Sequence, residues 1–200
     1  MKKKIAILLS VLLAVGTLVA CGGSAATPTE VTHNFLTALQ NQDFEGANRY
    51  SVGEDEEDFD FWDSVFDDMD DDPVGIYMVE RLMETFFEFD FELSNEEIDG
   101  DTATIDVQIT AYNWGDVLEQ WFESFFEEAF DLAMAGASED EIEQLGLDLL
   151  SEALGNMSKD YVDTVELTLV RVGGNWLVDE IEEDGPFVNA LFGGVLDLVL

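Results

Sequence analysis

Few side chains in this 200-residue chain are equipped for covalent or acid–base chemistry, and their supply is lopsided. There is one cysteine, Cys21, and one histidine, His33, against 46 aspartates and glutamates. A lone thiol can be a nucleophile or an acylation target, but it cannot close a disulfide within the chain. His33 falls in a helical stretch with no nucleophile–base pattern beside it, so it reads as a surface or packing residue. The chain has no P-loop, no Gly-rich dinucleotide fingerprint and no zinc motif. Carboxylates alone could hold calcium if they met the spacing of an EF-hand loop, with oxygens at positions one, three and five, glycine at six and glutamate at twelve. From Asp68, the residues Asp70 and Asp72 fit, but Pro73 takes the glycine position and Val79 the last one. From Asp58 the pattern fails at Trp62. The expectation is therefore no catalytic constellation, no structured metal site and no cofactor, with weak association of divalent cations at most.

The setting of Cys21 is more informative than the thiol itself. Lys2, Lys3 and Lys4 precede an apolar run over residues 5–19, interrupted by Ser10, Gly16 and Thr17. A membrane-spanning helix needs about 20 apolar residues, so this shorter run with basic residues before it reads as an export signal over residues 1–20. It ends in Leu18-Val19-Ala20-Cys21, followed by Gly22, Gly23, Ser24, Ala25 and Ala26. That tetrad resembles the lipobox of bacterial lipoproteins. The resemblance implies a diacylglyceryl group on the Cys21 thiol, cleavage between Ala20 and Cys21, and a chain held on the extracytoplasmic face of the cell membrane. Residues 21–27 would then be a flexible tether. Two acyl chains suffice for stable anchoring where one is marginal. The alternative is an ordinary secretory signal that leaves Cys21 as a free thiol.

The whole chain carries 7 basic and 46 acidic residues, a formal net charge of −39. Three of the basic residues lie in the signal segment, so the chain from Cys21 onward carries 4 − 46 = −42. Its remaining cations are Arg49, Arg81, Lys159 and Arg171. Nucleic-acid binding is excluded on this ground, since phosphate contacts need a basic face. Docking on anionic lipid is disfavoured likewise. Such charge serves solubility first. It would also attract cations or basic partners, and it would suit a salt-adapted host.

Forty-seven per cent hydrophobic and 12 % aromatic residues nevertheless argue for a folded domain rather than bulk disorder. The hydrophobic spacing predicts a helix over residues 29–40, opened by Thr27 and Pro28, and a short one carrying Phe44, Ala47 and Tyr50. Residues 54–72 hold twelve carboxylates in nineteen positions, with Phe59, Trp62, Val65, Phe66 and Met69 as a stripe at helical spacing. Another helix, capped by Asp72 before Pro73, would carry Val74, Tyr77, Met78 and Leu82. The period then changes to two: Phe87, Phe89, Phe91 and Leu93 predict one strand, and Ala103, Ile105, Val107, Ile109 and Ala111 a second, with Asp99-Gly100 as the hairpin signal. Residues 115–155 predict a helical hairpin. Val117, Leu118, Trp121, Phe122, Phe125, Phe126, Ala129 and Phe130 form its first apolar face, read as core. Gly136 ends the first helix, and Ser138 with Glu141 forms a capping box. Ile142, Leu145, Leu149, Leu150 and Leu154 continue to Gly155. A strand over residues 164–172, a turn at Gly173-Gly174-Asn175 and a strand over residues 176–181 follow. An apolar helix over residues 186–200, with Gly193-Gly194 inside it, closes the chain.

The predicted class is thus α+β: a curved antiparallel sheet of about four strands in two hairpins, packed on N-terminal helices, with a helical-hairpin insertion and a C-terminal helix. Residues 28–200 form one domain. The start from Pro28-Thr29-Glu30-Val31 to Leu39, the segment from Gln42 to Ala47, the turn from Asp99 to Thr104 and the strand from Gly174 to Asp179 are similar to small Gram-positive lipoproteins with a nuclear-transport-factor-two-like domain. In that fold a curved sheet wraps helices into a cone. The acidic segment and the long hairpin depart from it. The resemblance extends to acid–base enzymes that set a carboxylate and a hydrogen-bond donor inside the cone, for which Tyr77, Tyr112, Trp114, Asp90 and Asp106 are the candidates here. Asp90 and Asp106 fall on the polar side of their strands by parity, so no matched pair can be placed. The expectation is a non-enzymatic domain that binds a ligand or protein partner; a cone-pocket enzyme and an acidic cation- or basic-partner-binding protein are the alternatives.

Overall fold

The computed structural model describes residues 26–52, 77, 81, 82, 84–182 and 184–198. The predicted export signal, the Leu18–Cys21 motif, most of the predicted tether and the acidic segment lie outside the described residues.

Helix α1 (Pro28–Gln40) begins at a complete capping box: the Thr27 hydroxyl accepts from the Glu30 amide, and the Glu30 carboxylate accepts from the Thr27 amide. Two amides that a helix start would otherwise leave without partners are thereby satisfied. Its buried face is Val31, Phe35, Leu36 and Leu39. The short α2 (Phe44–Asn48) is capped by Asp43. Leu82 belongs to a helical stretch that also includes residues 84–86. There Phe86 and Phe87 enter the core, and Phe89 follows them. The first strand, β1 (Asp90–Asp99), therefore starts later than its alternation suggests; Phe87 lies in the turn before it.

Strand β2 (Thr102–Ala111) pairs with β1 across a two-residue turn of Gly100 and Asp101, with Gly100 at φ +67°. Strand β3 (Tyr161–Val172) pairs antiparallel along the whole of β2, and β4 (Asn175–Val178) returns across Gly173-Gly174. The order is β1-β2-β3-β4, an open sheet. Asn175 joins the strand rather than the turn, and β4 stops at Val178, short of Ile181. The register puts Ala103, Ile105 and Val107 opposite Leu169, Leu167 and Val165, so one face is continuously apolar. Helix α1 and the short α5 (Pro186–Leu191) cover that face, burying Phe187, Ala190 and Leu191 against it.

Both sheet edges are protected. Beside β4, Tyr50 and Val52 exchange backbone hydrogen bonds with Val178 at 2.7 and 2.8 Å. Along β1, pairing skips between Ser94 and Glu97, where Asn95 takes φ +52°, and Glu92, Glu96, Glu97 and Asp99 stand exposed. A bulged, charged edge is a poor template for another strand. Glu96 also reaches back to the start of α1, accepting from the Thr29 hydroxyl and amide at 2.6 and 3.0 Å.

Between β2 and β3 the chain forms the hairpin of α3 (Trp114–Ala135) and α4 (Glu139–Gly155). Gly136 is the left-handed C-cap of α3, and Ser138 and Glu141 make the capping box of α4. The base of the hairpin has its own core of Trp114, Val117, Leu118, Trp121, Leu150, Ala153 and Leu154. Reciprocal bonds between Asn113 and Ser158 close its stem, and the Gly115 amide donates to the Gly193 carbonyl at 2.9 Å. The C-terminal helix is split: Gly193 and Gly194, both with positive φ, break it after α5, and a 3-10 turn (Val195–Leu198) follows.

Candidate functional site

Tyr77, Tyr112, Trp114, Asp90 and Asp106 do not assemble into one acid–base site. Asp90 is exposed and pairs with Lys159 at 2.7 Å. Asp106, on the outer sheet face, accepts from the Asn95 amide group at 2.7 Å. The Tyr112 hydroxyl donates to Glu88 at 3.2 Å, while Tyr77 is exposed. The Trp114 indole is buried and donates to the Thr85 hydroxyl at 2.9 Å, which in turn donates to the Arg81 carbonyl at 3.0 Å. His33 sits exposed, edge-on to Phe91 at 5.5 Å, with Nδ1 3.4 Å from the Thr37 hydroxyl. Burial pushes the Tyr161 phenol up, with Asp163 and Asp197 adding to the effect. Among the described residues no group of three or more His, Cys, Asp or Glu side chains could hold a metal ion. Among them, too, no helix is long and apolar enough to cross a membrane.

The inner face of the sheet is filled by the protein itself. Ile105, Val107, Ile109, Leu169 and Val178 are fully buried beneath the cover of α1 and α5.

The unusual surface is on α3. Its apolar residues span two rows rather than one. Trp121 and Phe125 turn toward α4; their rings stack 5.7 Å apart, and the Trp121 indole donates to the buried Gly146 carbonyl at 3.0 Å. The second row is Phe122, Phe126, Phe130 and Met134, at four-residue spacing. These side chains are 42, 68, 66 and 75 % exposed. Phe122, Phe126 and Phe130 are therefore surface residues, not the core that helical spacing suggests. An amphipathic face of this width needs more cover than one partner helix supplies, and beyond the packed base α4 offers half-buried Ile142, Leu145 and Leu147. Phe122 stacks on Phe126 at 6.2 Å with ring planes 19° apart, so the row begins as an ordered ladder of rings. From first member to last, such a row spans about 18 Å along the helix axis. Its exposed apolar area is on the order of 400–500 Å², the size at which surface patches tend to be functional. The other large apolar residues left exposed, such as Val52, Ile98, Val162 and Val172, lie apart along the chain.

Beside this row runs an acidic one. Glu119, Glu123, Glu127 and Asp131 each precede a member of the apolar row by three residues, and all are exposed. Residues three apart are neighbours on a helix surface. The repeated Glu-x-x-Phe spacing is visible in the sequence, but nothing in it tells a covered stripe from an open one.

No protein-family model matches this chain, and no curated protein matches it. A solved structure of a Bacillus subtilis candidate lipoprotein, ycdA, is similar at 12 % identity and a TM-score of 0.39. The match covers 94 % of this chain and 55 % of that one, so this chain spans about half the length of that protein. No role passes from it to this chain.

Proposed function

We propose that this chain is a lipid-anchored domain on the extracytoplasmic face of a bacterial cell membrane, which binds another macromolecule through its surface and performs no catalysis. The observation that carries the binding reading is the exposed row Phe122, Phe126, Phe130 and Met134, held out on a hairpin whose base is firmly packed. Keeping such a patch in water is unfavourable unless it has a use. The filled inner face of the sheet favours a surface ligand over a small molecule within the fold. The Leu18-Val19-Ala20-Cys21 motif supports the anchor, as does the absence of any other cysteine to pair with Cys21. The nuclear-transport-factor-two-like cone belongs to the same proposal, supported by the order of helices and sheet strands.

The test has two arms. Cells fed radiolabelled fatty acid should label the wild-type chain and not Cys21→Ala; equal labelling overturns the anchor. A photo-crosslinking residue at position 126 in living cells should give one discrete adduct, absent when the same residue replaces exposed Glu180. No adduct at position 126 overturns the binding reading.

A further inference from the structure

We infer that the α3 row is the docking face for a basic amphipathic helix, one with apolar side chains along one face and Lys or Arg beside them. The inference rests on the binding reading above and names the partner's chemistry. Its ground is charge complementarity. Phe122, Phe126, Phe130 and Met134 would receive the partner's apolar face, and the parallel row Glu119, Glu123, Glu127 and Asp131 would meet its cations. The row Phe122, Phe126, Phe130 and Met134 is one i, i+4 ridge of α3, and a docking helix can lay its own anchors at i, i+3, i+4 and i+7 along such a ridge. Phe126 and Phe130, flanked on both sides by the row, are the central anchors.

The same charge distribution disfavours the other occupants. A second copy would set carboxylate row against carboxylate row. The four basic residues that follow the signal are already engaged, by Glu45, Glu84, Asp90 and Asp101. Residues 54–72 carry twelve carboxylates and no cation, so they would add repulsion. An anionic membrane surface is repelled in the same way.

The probe is a synthetic helix of about eighteen residues with Leu on one face and Lys on its flanks. Controls are a scrambled peptide of equal composition and a twin with Glu in place of Lys. The full chain is held in phosphatidylcholine nanodiscs, with empty discs subtracted, at about 0.15 M ionic strength to screen diffuse attraction. The periodic basic peptide should bind at least about tenfold more tightly than either control. The double variant Phe126→Ser with Phe130→Ser should lose at least about tenfold, and Glu123→Gln with Glu127→Gln several-fold, with circular dichroism unchanged. Equal binding of the scrambled peptide, or no loss in the Phe variant, overturns the proposal, because the attraction would then be bulk charge alone. Equal binding of the acidic twin also overturns it, as does pairing of two chains through position 126. A discrete in-cell adduct at position 126 together with no peptide selectivity would keep the binding reading and discard this partner class.

Discussion

Gly193 shows how much one backbone position can carry. It has φ +58°, and a Cβ there would stand 1.8 Å from the Tyr112 carbonyl oxygen. The contact belongs to the seam where the C-terminal turn meets the start of α3. Gly193→Ala should therefore lower stability by more than about 2 kcal/mol, from strain and overlap together. Gly100→Ala, also at positive φ but in open space, should cost only about 1 kcal/mol. Equal melting temperatures for the two variants would count against the tight seam. Thr32 makes the opposite case. Its Oγ1 is fully buried and has no hydrogen-bond partner among the described residues. Thr32→Val keeps the shape and removes the unsatisfied hydroxyl, so it should be neutral or stabilising by up to about 1–2 kcal/mol. A clear loss in urea denaturation would show that the hydroxyl has a partner.

At the scale of elements, the hairpin divides into a packed base and an open arm. Leu150 is fully buried while Phe130 and Met134 are largely exposed. Hydrogen exchange should follow this division: amides near residues 117–121 and 150–154 should be slower than those near 128–143. Uniform protection along α3 would mean that the arm is covered after all. The α4 capping box supplies a second expectation. Hydrogen bonds from the Ser138 backbone and side chain hold the Glu141 carboxyl below the usual glutamate range. Its folded-state pKa is thus below the unfolded one, so its contribution is present above the unfolded value and is lost as pH falls through the folded one. A carboxyl resonance for Glu141 that titrates in the usual range would show the box to be open. Thr27, Ser138, Gly136 and the turn around Gly100 are all legible in the sequence, because caps and turns are local chemistry. The start of β1 is not: Phe87 and Phe89 keep the alternation, but it is core packing before the strand, not pairing within it, that holds them.

Over the whole molecule, negative charge is left far in excess. Four exposed or half-exposed ion pairs engage Arg49, Arg81, Lys159 and Arg171, and the remaining carboxylates repel one another. Salt at 0.1 M confines that repulsion to about 10 Å. The melting temperature of the chain should therefore rise by several degrees between low salt and about 0.5 M sodium chloride, with no divalent ion needed. A flat response would show that the carboxylates are spaced widely enough not to interact. The same excess of acid is the ground of the proposed preference for a cationic partner over a second copy of the chain.

The sequence by itself determined the class and order of elements, since two-residue alternation, helical spacing and cap residues are read within a few positions of each other. It also determined the charge, and with it the expectation that nucleic acid is not a partner. Only the tertiary structure decided which aromatic residues became core. Hydrophobic spacing says that a face favours cover, not whether a neighbour reaches it. Trp121 and Phe125 were met by α4, and Phe126 and Phe130, one helical row away, were not. The Glu-x-x-Phe repeat thus became a surface rather than an interior because α4 packs along only one side of α3.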